Sequence, residues 1–165
     1  MLPICRRVID TTTGVRMQAC NGCEFIEALY YDPEFQIWVR REQDGTLTVG
    51  MTDISQTVAG KILHVRVRRP GTRRPAGKPV ATVESGQWAG PVPNYFDCVI
   101  IEGNPAVLAD PPLLNADPYG AWISRVEPTG GADLALAEFL TGETAFAGYC
   151  ERVRNEGIQC ERRIA

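Results

Sequence analysis

Cysteine is the residue type in this 165-residue chain whose spacing first suggests chemistry. Six are present: Cys5, Cys20, Cys23, Cys98, Cys150 and Cys160. Cys20-Asn-Gly-Cys23 is a C-x-x-C pair, which suits a reversible dithiol switch or half of a metal site. A four-thiolate zinc site would draw two more ligands from Cys150 and Cys160, whose own spacing is not of the paired form. Two ordinary thiols in an irregular N-terminal segment are the plain alternative. Six cysteines are few for a disulfide scaffold of this length. His64 is the only histidine, so chemistry built on several imidazoles within the chain is excluded, and its place among strand residues reads as an edge or surface position.

Two further stretches carry side chains of functional type. Glu84-Ser85-Gly86-Gln87-Trp88, continuing Ala89-Gly90-Pro91-Val92, reads as a hairpin tip that presents Gln87, with Trp88 beside it as a recognition handle or a packing residue. From Arg66 to Lys78 lie Arg66, Arg68, Arg69, Arg73, Arg74 and Lys78 with no acid among them. That run suits either an acidic protein partner or a solvated loop. Nucleic acid is the weak reading, because no aromatic ladder interleaves the cations. Lysine is scarce: Lys61 and Lys78 are the only two.

The elements that must hold these residues are mostly strands. Phe35, Ile37 and Val39 alternate with Gln36, Trp38 and Arg40, Asp44-Gly45 supplies a tight turn, and TLTVGM returns, which predicts a hairpin. TDISQTVAG changes period and predicts a two-turn helix. Thr52 or Asp53 would cap it, Gln56 stands as in a capping box, and Gly60 is its stop. Strands follow at KILHVRVRR, with Leu63, Val65 and Val67 on one face, then at PVATVES, CVIIEG and AWISRVEP. NPAVLADPP holds a short helix, and PGTRRPAGKP and Thr11–Gly14 read as loops. Beyond Pro128, DLALAEFL predicts one helix, Gly142 breaks it, and Phe146, Tyr149, Cys150 and Val153 stripe a second that stops at Gly157. Such a stripe packs on a parent domain or receives a partner.

Composition bounds the rest. A hydrophobic fraction of 44% supports a core, and a net charge of −3 gives no global attraction to nucleic acid or anionic lipid. No apolar run reaches the roughly 20 residues of a membrane span. The arginines near the start are followed by no apolar signal segment, so the expectation is a cytoplasmic protein, with Met17 as an alternative start.

The strings LTVGMTDISQTVAGKILHVRVRRPGTRRPAGKPVATVES and NADPYGAW resemble the glycine cleavage H protein and its lipoate-binding relatives; in the second, Asn115, Asp117, Pro118, Tyr119, Gly120 and Trp122 carry the likeness. ESGQWAGPVP, CNGCE and the Cys-bearing tail resemble more narrowly the H-like lipoate-binding proteins of bacterial sulfur oxidation, which work with a heterodisulfide-reductase-like complex. The resemblance implies a mainly β, lipoyl-type barrel-sandwich hybrid with a short internal helix and a helical C-terminal tail. It divides the chain into an extension over 1–22, an H-protein-like domain over 23–128 and a tail over 129–165.

In that family a lysine two positions after the V-E-S segment carries lipoate through an amide, and the protein transfers without catalysing. Here Gln87 occupies the lysine's place, and a carboxamide nitrogen is not the nucleophile a lysine amine is. Cys98 also stands where the family turns at glycine. The resemblance then implies a non-enzymatic binding or regulatory partner with no cofactor expected, its partners being proteins of a lipoate-dependent system, with neither nucleic acid nor membrane. The alternatives are a carrier with an engineered Lys-to-Gln change and a thiol redox protein using Cys20 and Cys23, or Cys98.

Overall fold

The computed structural model describes residues 5–9 and 16–162; the Thr11–Gly14 loop expectation lies outside them. Among the described residues the strands form three antiparallel sheets. The predicted hairpin forms as β5 (Ile37–Arg41) and β6 (Leu47–Met51), paired Ile37 to Met51 and Arg41 to Leu47. It forms the second and third strands of a six-stranded sheet. The other strands are β1 (Cys5–Ile9), β2 (Arg16–Cys20), β3 (Cys23–Ile26), β4 (Tyr30–Tyr31), β7 (Ile62–Val67), β8 (Arg73–Arg74), β9 (Ala81–Ser85), β10 (Ala89–Val92), β11 (Cys98–Gly103) and β12 (Ser124–Pro128). The large sheet runs β4-β5-β6-β12-β11-β8, a smaller one runs β10-β9-β7, and an N-terminal one runs β1-β2-β3.

The large and small sheets close on one core. Ile37, Val39, Leu47 and Val49 from one side meet Ile62, Val65, Val83 and Val92 from the other. The alternation predicts Phe35 as the first strand residue. It lies instead in a turn with φ 56°, its N–H donating to Asp32 O at 2.9 Å. On β7 the expected inward Leu63 is exposed, while Ile62 and Val65 are buried. The reason is a bulge between Ile62 and His64, which turns two consecutive residues outward.

Trp38 departs most from a simple alternation. It points away from Ile37 and Val39 yet is fully buried, because a second core lies on the other face of β5. There Phe25, Tyr31 and Phe35 pack against α5 (Gly142–Glu156), through Ala145, Tyr149 and Val153. The tail stripe therefore covers the parent domain. Gly50 faces Trp38 across the ladder, and a Cβ there would sit 2.3 Å from the indole, so only glycine leaves room for the ring.

The helix expected over Thr52–Gly60 is α1 (Asp53–Ala59), capped by Thr52, whose Oγ1 accepts from Ser55 N. Gln56 is not its capping-box partner; its amide Nε2 instead donates to Asp53 Oδ1 and to Glu161 O. NPAVLADPP holds α2 (Pro105–Ala109) with Asn104 as N-cap, followed by α3 (Leu113–Ala116). DLALAEFL does not make one helix: α4 spans only Ala132–Ala135 and leaves Leu134 exposed. Gly157 ends α5 in the left-handed conformation, as expected. The boundary drawn at residue 22 falls in the β2–β3 hairpin, where Cys20 is paired with Cys23, and α5 packs on that hairpin. The segments on either side of the central β region thus form one covering layer.

Candidate functional site: the β9–β10 tip and its surroundings

β9 and β10 pair with Glu84 opposite Ala89, leaving Gly86, Gln87 and Trp88 at the tip. Ser85 closes the turn from within. Its N–H donates to Trp88 O at 2.7 Å, and its Oγ accepts from Trp88 N at 3.0 Å and Gln87 N at 3.4 Å. A buried serine hydroxyl thus satisfies the turn's N–H groups, while Glu84, Gly86, Gln87 and Trp88 face solvent. The expected hairpin tip forms, with the side chains of Glu84, Gln87 and Trp88 exposed on it.

The amide of Gln87 folds back toward the end of α1, its Nε2 lying 3.5 Å from Ala59 O. Gly60 beneath it has φ 82°, and a Cβ there would lie 2.7 Å from that nitrogen. Glycine at 60 serves both the helix stop and this close approach. Asn115 ties the same corner from below: Nδ2 donates to Gly60 O and Gln56 Oε1, and Oδ1 accepts from Ile62 N. Trp88 is 43% exposed and lies over Gly90, where a Cβ would meet its ring at 2.5 Å. It walls a cleft of about 130 Å³ with Val58, Met51, Pro91, Pro93 and Arg152. Trp88 is therefore both packed and available.

The other sequence-level candidates lie elsewhere. Cys20 and Cys23 are not a redox pair: Cys23 is joined to Cys160, with Cα atoms 4.7 Å apart, and both are buried. Adjacent strand positions across a tight β-turn brought Cys20 close in sequence, but the tail brings Cys160 close in space. With those two sulfurs bonded to each other, the four-thiolate metal set is not available to them. No group of three or more candidate ligands for a metal ion occurs among the described residues. Cys98 begins β11 rather than occupying a left-handed turn, and is buried. Burial, with Asp97 adding, pushes its thiol up to about 11, so it is protonated and unreactive at neutral pH. His64 is exposed on β7, opposite Glu84.

Spacing gave no sign of the charged cluster where the tail crosses α1. Arg162 is ion-paired with Glu24 and, at 2.7 Å, with Asp53. Asp53 is almost wholly buried and also accepts from Glu24 N at 2.8 Å. Burial raises its pKa, opposed by the Glu24 N–H, Arg162 and Gln56. The Thr-Asp pair of the helix start is the one signal in the sequence that points here, and by spacing alone it reads only as a cap.

The arrangement is a β-sandwich with a closed hairpin tip, the architecture of a lipoyl-type domain. A family model for the glycine cleavage H-protein matches residues 29–152, and the chain belongs to that family. It is 48% identical over 145 residues to "Glycine cleavage system H protein 3" of Aquifex aeolicus (strain VF5), covering 86% of this chain and 90% of that one. It is 40% identical over 149 residues to "Probable glycine cleavage system H protein 2" of Sulfurisphaera tokodaii, covering 88% and 99%. A crystal structure of a glycine cleavage system H protein from Mycobacterium marinum superposes with a TM-score of 0.63 at 25% identity, covering 80% of this chain and 98% of that one. The fold expectation, a mainly β barrel-sandwich with a C-terminal helix, holds. No helix among the described residues is long and apolar enough to cross a membrane.

Proposed function

We propose that this chain is an H-protein-family domain that is not lipoylated and acts by binding protein partners of a lipoate-dependent system, without catalysing. The observation that carries the reading is the residue at the tip. The family's arm is attached to a lysine amine, and here the side chain presented by the Ser85-closed turn is the carboxamide of Gln87. An amide nitrogen shares its lone pair with its carbonyl and does not accept an acyl group as an amine does. The site does not fit the arm. What remains is the carrier's shape: a closed tip, an exposed indole and the cleft beside them, which suits occupancy of a partner's docking site. The strings ESGQWAGPVP and CNGCE support the sulfur-oxidation branch of the family, and with it partners of the heterodisulfide-reductase-like kind.

The test is an intact mass of the chain produced in lipoate-fed cells, beside that of Gln87→Lys treated with a lipoate ligase. The native chain is expected unmodified and the variant acylated at position 87. A lipoyl mass on the native chain, mapped to Lys61 or Lys78, overturns the reading.

A further inference from the structure

The cations between Arg66 and Lys78 stand on an ordered backbone. The loop is pinned along its length. Arg68 N donates to Val80 O at 3.0 Å, Gly71 N to Ile100 O at 2.7 Å and Gly77 N to Asn94 O at 2.8 Å, while Ile100 N returns to Thr72 O at 2.9 Å. Asn94 Nδ2 donates to Pro75 O and Lys78 O, and Asp97 Oδ1 accepts from Ala76 N. β8, within this loop, adds itself to the edge of the large sheet through Cys98 and Val99, so the loop bridges the two sheets that enclose the core.

The structure thus fixes a cationic ridge in place. Among the described residues, none of the six cations forms an ion pair. Arg66, Arg68, Arg69, Arg73 and Lys78 are exposed and Arg74 is half-buried. Like charges held at this spacing repel one another, and the bonds that bridge the sheets hold them there as a cationic face with no ion-paired counter-charge supplied by the described residues. The segment holds six cations and no acid, so the rest of the chain, at −3 overall, carries −9.

The ridge also lies away from the display turn. β7 and β9 run from the tip end, where Ile62 is paired with Ser85, to the ridge end, where Val67 is paired with Ala81. That is roughly 13 Å of strand at ~3.3 Å per residue, with the loop beyond it. The two ends differ in character: indole and aliphatic at the tip, guanidinium at the ridge.

We propose that this ridge is a second docking surface, taking an acidic face of a protein partner independently of the Gln87 tip. A folded acidic partner matches it better than a nucleic acid. A duplex is anionic along its whole length and would run off the ridge onto the −9 remainder of the chain, whereas a protein face can present acid only where the ridge lies.

The experiment is an NMR titration of the full ¹⁵N-labelled chain with a glutamate-rich peptide, a glutamine-rich peptide of equal length and a short DNA duplex. The expected result is saturable one-to-one binding of the acidic peptide, with amide shifts confined to residues 66–78 and none at 84–92. The affinity should weaken about tenfold between about 50 and 250 mM salt. Arg69→Glu with Arg73→Glu should abolish saturation while keeping the folded spectrum, and Gln87→Lys should leave binding unchanged, which separates this proposal from the reading of the tip. Shifts spread over the surface, shifts at the tip, no saturation, tighter binding of the duplex, or self-association of the chain through the ridge would each overturn it.

Discussion

Changing Cys160→Ser tests how the tail is held. The Cys23–Cys160 bond joins positions 137 apart, almost the whole described chain. In the chain-entropy account, closing a loop of that length lowers the denatured state's entropy enough to stabilise the fold by about 5 kcal/mol. Release also weakens what the tail brings to α1: the Gln56 amide's bond to Glu161 O at 2.7 Å and the Arg162 pairs with Glu24 and Asp53. Residual denatured-state structure reduces the loop contribution, so the expected loss is about 2–5 kcal/mol, roughly 10 °C in Tm for a chain of this size. Position 160 is the one to change, because it is 8% exposed while Cys23 is fully buried, and a serine hydroxyl there keeps access to water. The assay is urea unfolding of both oxidised proteins, followed by tryptophan fluorescence. The variant should show a lower midpoint and a steeper slope, since its unfolded chain exposes more surface. The loss should be larger at pH 7 than near pH 3.8: Arg162 compensates Asp53 only while Asp53 is ionised, and that contribution disappears as pH falls through its folded pKa. Unfolding free energies that agree within about 0.5 kcal/mol, with unchanged slopes, would refute the assignment of this bond as the tail's anchor.

Gly50→Ala should destabilise by about 1–3 kcal/mol, read by urea unfolding, because its Cβ would lie 2.3 Å from the Trp38 ring within a filled core. Asp32 has its pKa raised by burial, against four hydrogen bonds from Ile37, Tyr95, Glu34 and Gln36. A raised folded pKa means that its contribution is present below the unfolded value of 3.8 and is lost as pH rises through the folded one. Asp32→Asn should therefore flatten the fall in stability across that window, measured as unfolding free energy against pH. Cys98, with its thiol pushed up to about 11, should resist iodoacetamide at pH 8 in the folded protein and react once urea unfolds it; labelling at the rate of a model thiol would contradict its burial. Trp88→Ala should leave stability within about 1 kcal/mol, since the indole is 43% exposed, while shifting NMR signals of the cleft residues Val58 and Met51.

What the sequence revealed and what it concealed divide along one physical line. Features written in neighbouring residues were legible. The Asp44-Gly45 turn, the Gly60 stop and the β9–β10 tip each depend on local dihedral preference and alternation, and each stands where the residues placed it. Features written in tertiary layering were not. Alternation assigned Trp38 to the outer face of β5, and it does point there, but Phe25, Tyr31 and α5 build a second core over that face. An apolar residue at an outward position was the available sign that the strand is covered on both sides. Cys20 and Cys23 satisfied a motif three positions apart, while the true partner of Cys23 arrives from Cys160, and no spacing rule reaches that far. The bulge in β7 turned Leu63 outward with nothing in the string to mark it. The β9–β10 tip belongs to the legible class. Ser85 closes the turn through the backbone N–H groups of Gln87 and Trp88, so the side chain at position 87 can change without removing those bonds. The same independence predicts that Gln87→Lys folds as the native chain does and differs from it only in what can be attached.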